Sequence, residues 1–532
     1  MSNPSRSVRF PLIVMLLGIV AIVFASFAPP SLINEPNRNM MTPGVLLLGG
    51  TLLAGWMFFR QPIARKWTLM LFGTPFVAFF GAIATGAIQF DGNMGMLLKN
   101  PFHDQTSVIE SHRQSQPSDT SRKIVLVPDQ DTDCPAYRGR DRSGIIAGPE
   151  LQRDWATKKP REVWRQPCGG GYAGMSVVKG YLFTIEQRRG NEVVVCYDAS
   201  TGQEVWKYEY QADFRESMGG PGPRTTPTVF DGLVYSLGAN GQLTCLDGRD
   251  GSVKWETNIL TNNDNVMWGM SGSPLVFDDL VVVNPGAQSA ASAGRAMIAY
   301  DRLTGAERWH SGESRAGYSS PQLSELDGVR QILLFDAGGI AGYDPNKGTQ
   351  LWSFPWETQQ GINVSQPIII PKADGKPTQV FISSGYGVGG ALLEVRQNGE
   401  SWSVKQVYRT NIKTMRSKFA SPVVWDGCLI GLNDGILECV EIRDGRELWK
   451  DDRRARRGQA YGHGQILRTG DLIVVFTEFG EIVLVEANRD ELLERGRIQA
   501  IKGSKTWNPP TLVDGRLYVR DAEEMACYDL RP

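Results

Sequence analysis

A block of sequence that returns about every 50 residues from Trp164 to the C-terminus constrains this chain more than any other feature. Each copy opens on a small polar residue or a proline and then alternates apolar residues. Examples are Thr226-Pro227-Thr228-Val229, Ser273-Pro274-Leu275-Val276, Ser320-Pro321-Gln322-Leu323, Gln366-Pro367-Ile368-Ile369, Ser421-Pro422-Val423-Val424 and Pro509-Pro510-Thr511-Leu512. Alternation at period two reads as a strand. Asp231-Gly232, Asp426-Gly427 and Asp514-Gly515 follow, and Asp-Gly pairs form tight hairpin turns. A second apolar run ends in another turn, at Asn240-Gly241, Gly338-Gly339 or Asp434-Gly435. A third run ends in an acidic residue. A further turn then leads to a fourth strand with its tryptophan: Thr201-Gly202 before Trp206, Asp250-Gly251 before Trp255, Thr304-Gly305 before Trp309, Lys347-Gly348 before Trp352 and Asp444-Gly445 before Trp449. Four antiparallel strands per copy, repeated around a ring, are the blades of an all-β propeller.

The count is eight blades, with seven as the alternative. Blade five is looser, with Gln397-Asn398-Gly399 at its turn; blade seven has Asn488-Arg489-Asp490 there and lacks the tryptophan. The eighth copy stops at Cys527-Tyr528-Asp529, one strand short, and Glu162-Val163-Trp164-Arg165 is the expected donor of the missing strand. Such a donation removes the open sheet edges.

Tyr197-Asp198-Ala199-Ser200-Thr201-Gly202-Gln203-Glu204-Val205-Trp206 resembles the repeat of pyrroloquinoline-quinone (PQQ)-dependent dehydrogenases and of BamB-type assembly factors. Cys134-Pro135-Ala136-Tyr137-Arg138-Gly139 is similar to the aromatic-Arg-Gly lead-in of such propellers. The resemblance covers residues 131–532 and implies the propeller fold. It is shared by enzymes and non-enzymes, so it is weak for function.

Ahead of the repeats lie three apolar stretches, Pro11 to Ala28, Val45 to Phe59 and Thr68 to Ile88, without internal charges. Each approaches the length that crosses a hydrocarbon core of about 30 Å. They are expected to make residues 1–90 an anchor of about three transmembrane helices, followed by a flexible polar linker over 91–130. Arg6, Arg9, Arg60, Arg65 and Lys66 flank them so that the positive-inside rule puts the propeller outside a cytoplasmic (inner) membrane, on the periplasmic side. A cleavable signal peptide is the alternative reading of the first stretch.

With 56 Lys+Arg against 57 Asp+Glu, the net charge is -1, and no nucleic-acid partner is expected. The seven cysteines form no C-x-x-C and there are four histidines, so no metal centre is read here. Cys196, Cys245, Cys439 and Cys527 share one repeat position, occupied by Ala299 and Gly342 in blades three and four, which calls for a small side chain between sheets. Cys134 and Cys168 are left as a pair that an oxidising compartment would permit to bond, or not.

No residue is assigned to catalysis. The loops ahead of the first strands carry Arg224, Trp268, Tyr318 and Asn363, and further round the ring Arg416, Lys418 and Trp507. His463 stands where other copies have the small residue and proline. Aromatic planes with Arg and Lys at one channel rim suit a flat anionic ligand such as a quinone, and equally a peptide or glycan. Glu186, Asn363 and Asp336 are the acids and amide available if PQQ is held over calcium, as the dehydrogenase resemblance implies; the adjacent cysteines that often accompany that site are absent. The basic run Lys450 to Arg457 reads as a solvated loop. The resulting expectation is a protein-binding scaffold resembling BamB, with a PQQ-dependent dehydrogenase of alcohols or sugars as the alternative.

Overall fold

The computed structural model describes residues 9–27, 35–60, 74–92, 94–100, 102–116, 124–127, 129–216, 218–370, 378–451, 453, 460–503 and 505–532. The chain divides into two units: residues through His103 together with 215–220, and the remainder.

The second unit contains eight four-stranded antiparallel sheets. Seven run in chain order. The eighth is completed by Arg161–Pro167, which pairs with Glu524–Asp529 beside Arg516–Arg520 and Thr511–Val513. Eight blades are therefore present, and the lead-in strand closes the ring. The Asp-Gly turns behave as their composition requires: Asp231 and Gly232 have φ of 50° and 78°, the paired positive values of a type I′ hairpin.

The small residue of the third strand faces the tryptophan of the fourth. Cys196 pairs with Trp206, Cys245 with Trp255, Ala299 with Trp309, Gly342 with Trp352 and Cys439 with Trp449. A bulge follows immediately in each case; in blades one, two, three and six the indole reaches over the turn of the next blade, whereas Trp352 Nε1 donates to Gln331 Oε1 within its own blade at 2.7 Å. Trp206 Nε1 donates to the Gly248 carbonyl at 3.0 Å, and Trp255 Nε1 to that of Arg302 at 2.8 Å. The glycine of the next turn allows this approach, since a Cβ on Gly251 would lie 2.6 Å from Trp206. The repeated turn is thus a docking surface for the preceding blade.

Blade seven solves the same problem differently. Leu484 takes the third-strand position opposite Gly496, and Trp155 from the lead-in packs on that glycine, where a Cβ would come within 2.4 Å. Trp155 is buried against Leu484, Ile482 and Leu517.

The first strands line the channel, and the small residue before proline links blade to blade. Thr226 N donates to Ser273 Oγ (2.9 Å), Ser273 N to Ser320 Oγ (2.9 Å), Ser320 N to Gln366 Oε1 (2.7 Å) and Gln366 N to Ser421 Oγ (2.9 Å). A proline nitrogen has no hydrogen to donate, so the preceding residue carries this girdle. The lead-in crosses beneath it. Arg142 is buried and donates to the carbonyls of Ser273, Pro321 and Pro274 at 3.0, 2.6 and 2.5 Å, while Arg138 reaches those of Ile466 (3.0 Å) and Pro422 (3.2 Å). Cys134 and Cys168 are both free and buried.

The N-terminal part departs from expectation. The helices Arg9–Phe27, Glu35–Arg60 and Thr74–Ala84 are present, but among the described residues no helix is long and apolar enough to cross a membrane. Thr74–Ala84 has 11 residues, about 16 Å of rise against a core of about 30 Å. Glu35–Arg60 includes Glu35, Arg38, Pro43 and Arg60, which dilute its apolar run. The multi-pass placement in a cytoplasmic membrane, with the propeller on the periplasmic side, is corrected accordingly. Gln105–Gln114, inside the stretch read as a linker, forms a helix capped by Asp104, and Gln105 Nε2 donates to the Cys168 carbonyl at 2.8 Å. The basic loop falls largely outside the described residues; of it, Arg453 pairs with Asp451 at 2.8 Å and Glu494 at 2.9 Å.

Candidate functional site

In antiparallel blades the connections entering first strands and those joining second to third strands gather at one end of the channel. At that end an arc of rings and cations forms. The Arg224 guanidinium lies 4.4 Å from the Phe214 ring centroid and 5.7 Å from that of Tyr172. Tyr172 is 5.2 Å from Trp507, and Trp507 is 4.7 Å from Phe419. Lys505 Nζ stands 4.6 Å over Trp507 and 5.8 Å from Tyr172, while Lys418 Nζ stands 5.5 Å from Phe419 and 5.4 Å from Tyr386. Such ring–cation contacts hold the charges at the mouth of the channel.

Two carboxylates organise this arc from behind. Glu478 is buried, accepts from Trp507 Nε1 at 2.8 Å and from the His463 backbone N–H at 3.0 Å, and so sets the ring and the histidine together. Asp434 lies 3.5 Å from Arg416 and 4.0 Å from both Lys418 and His463 Nε2. Burial and, next, the Lys418 charge push the His463 pKa down, so the imidazole is held neutral.

Of the eight residues expected at the rim, Arg224, Lys418, His463 and Trp507 join this arc, with Arg416 attached through Asp434. Trp268 and Tyr318 make a separate ring pair at 5.6 Å. Asn363 is fully buried and structural: its Nδ2 donates to the Asp336 and Trp356 carbonyls and its Oδ1 accepts from Ser384. Tyr172, Phe214, Tyr386, Phe419 and Lys505 escaped sequence reasoning because they occupy no common repeat position. Interleaving of aromatic residues with Lys, as in Lys418-Phe419 and Lys505-Thr506-Trp507, is the signal that could have found them.

Glu186, Asp336 and Asn363 do not fit a calcium–quinone group. Glu186 is fully buried and accepts from Gly169 N (2.7 Å), Arg188 Nε (3.0 Å) and the Tyr197 hydroxyl (2.9 Å). Burial opposes its charge, but Arg188 and Arg520 outweigh burial and hold its pKa below the ordinary value. Its oxygens are committed to the seam between blades eight and one. Asp336, pushed up to about 6 by burial, accepts from Gly338 N in blade four. Among the described residues no group of three or more His, Cys, Asp or Glu side chains could hold a metal ion.

Comparison with known proteins places these features in context. A family profile described as "Outer membrane protein assembly factor BamB" matches residues 153–284, 217–420 and 433–530. The outer membrane protein assembly factor BamB of Burkholderia pseudomallei is 23% identical over 325 residues, covering 58% of this chain and 74% of that protein. Quinohemoprotein alcohol dehydrogenase ADH-IIG of Pseudomonas putida is 29% identical over 136 residues, covering 25% of this chain and 18% of that protein. The crystal structure of the quinohemoprotein alcohol dehydrogenase of Comamonas testosteroni superposes with a TM-score of 0.53 at 14% identity, covering 80% of this chain and 84% of that one, a likeness of fold.

Proposed function

Because the chain belongs to the family described as outer membrane protein assembly factor BamB, we infer that it works as a protein-binding scaffold, presenting a rigid propeller to partner proteins. The observation that carries this reading is the commitment of the buried acids to internal contacts. Glu186 serves the seam, Glu478 the rim aromatics and Asp336 a hairpin turn. The half-buried side chains at the channel mouth, Arg224, Tyr386, Lys418, Phe419 and Trp507, support a surface for contact with partners. The extent of the matches supports the same reading: 74% of the Burkholderia pseudomallei assembly factor is covered, against 18% of the Pseudomonas putida dehydrogenase. The name of the former protein makes it an assembly factor for outer membrane proteins. A comparable role in assembling or escorting other proteins is proposed for this chain.

A titration separates this from the dehydrogenase reading. The purified chain, given pyrroloquinoline quinone and calcium, is expected to show no saturable change in quinone absorbance and no dye reduction with alcohols or sugars. Stoichiometric quinone binding with turnover would overturn the proposal.

A further inference from the structure

The outer strand of the last blade is held differently from those of the other seven. Arg161–Pro167 enters its sheet from the far end of the propeller, so no hairpin ties it to Glu524–Asp529, and the ring can open there by strand dissociation alone. The helix Gln105–Gln114 packs on this strand. We propose that the helix is a releasable clasp on the closure seam: docked, it locks the ring, and undocked, it lets Arg161–Pro167 detach ahead of the rest of the propeller.

The contacts fall on both sides of the seam. Gln105 Nε2 donates to the carbonyl of Cys168, between the closing strand and blade one, at 2.8 Å and to that of Glu523, in a turn of blade eight, at 2.5 Å. Asp104 and Glu110 lie 3.2 and 3.8 Å from Arg189 in a blade-one turn. Arg113 Nη1 faces Glu204 Oε1 at 3.4 Å, an oxygen that is buried without a hydrogen bond. From Glu204 a ladder of alternating charge continues inward, to Arg188 at 2.8 Å, Glu186 at 3.0 Å and Arg520 of blade eight at 4.0 Å. The helix therefore covers the outer end of the charge ladder that crosses the seam.

The same helix is built to let go. Of its ten residues only Thr106 and Ile109 are buried. A helix of this length is not stable alone in water, so undocking and unfolding are one event. Its ion pairs to Arg189 join side chains that are 48%, 55% and 58% exposed at Asp104, Glu110 and Arg189, whereas Glu204 and Arg188 are 4% and 7% exposed. Exposed pairs are weak and screened by salt, while breaking a buried pair is costly. The clasp can leave while the inner ladder stays.

The test is hydrogen exchange of the full chain, read by mass spectrometry at Arg161–Pro167 and Glu524–Asp529, with Leu280–Val283 and Met297–Asp301 of blade three as the reference. Ser111 lies on the exposed side of the helix. Ser111→Pro breaks the helix while keeping every side chain of the clasp, and exchange of the closing strands should rise by about tenfold or more with blade three unchanged. Ser111→Ala, a better helix former at the same position, should slow that exchange. Arg189→Glu sets like charges against Asp104 and Glu110 and should also speed it; Glu110→Arg in that background should restore part of the protection. Closing strands that exchange alike in wild type and Ser111→Pro, or a rise shared equally by blade three, would overturn the proposal.

Discussion

Trp164 stands opposite Cys527 in the ladder of the last blade, the same pairing that Trp206 makes with Cys196 in the first. The two residues are separated by the entire ring in sequence, yet they reproduce a contact that every regular blade makes locally. Trp164 Nε1 donates to the Ala199 carbonyl at 3.0 Å, and Gly202 lies under its ring. Closure therefore uses the ordinary blade-to-blade joint, with one partner taken from the other end of the propeller. Trp164→Ala should destabilise the propeller by ~3–5 kcal/mol, the cost of deleting a buried tryptophan. Urea unfolding followed by tryptophan fluorescence measures it.

Blade seven offers a paired test. Trp155→Ala should cost a similar ~3–5 kcal/mol although Trp155 lies outside every blade. Gly496→Ala should also destabilise, since its methyl would meet the Trp155 Cβ at 2.4 Å. Combining Gly496→Ala with Trp155→Gly, which removes that Cβ together with the indole, should cost less than the sum of the two single changes. A double-mutant cycle in denaturant checks this coupling.

Arg142→Met keeps the length of the side chain but removes donors to three buried carbonyls. A loss of ~2–4 kcal/mol is expected. Hydrogen exchange should report the loss at Pro274-Leu275 and Pro321-Gln322 ahead of distant blades. Uniform exchange across the ring would contradict the role of Arg142 as a local pin.

Glu438 predicts the pH dependence. Burial raises its pKa from 4.5 to about 7, although Lys450 lies 3.5 Å away and Asn433 Nδ2 donates to it at 2.7 Å. Folded protein thus holds a proton that unfolded chain has released between about 4.5 and about 7. Stability should fall as pH rises through that window, by ~3 kcal/mol at most, and be fully present below it. Glu438→Gln should flatten this part of the curve. Thermal melts of both proteins across the window provide the check, and parallel curves would contradict the assignment.

The repeat made the fold legible because its physical demands fall at fixed positions: proline at the channel, Asp-Gly at turns, a small residue facing tryptophan. Even the odd cysteines at 196, 245, 439 and 527 could be read as small-residue positions, though only the register shows that an indole sits across from them. Blade seven was less legible, since its tryptophan comes from residue 155, and no period relates the two. The rim was half legible. Arg224, Lys418, His463 and Trp507 stand ahead of first strands, whereas Tyr172 and Tyr386 arrive from connections of different length and meet the others only in space. Asn363 looked like a rim residue by position, but its amide closes a buried turn. The N-terminal stretches were misread as spans because apolar composition was weighed ahead of the length and polarity of the helices that form.

The most direct test of the central claim is the mass of the particle that the full-length chain forms in its own cells, isolated under mild crosslinking and measured by native mass spectrometry. A scaffold should appear as a discrete species heavier than the 58.8 kDa chain, with a second polypeptide at fixed stoichiometry. A lone 58.8 kDa chain carrying a bound quinone would contradict the account.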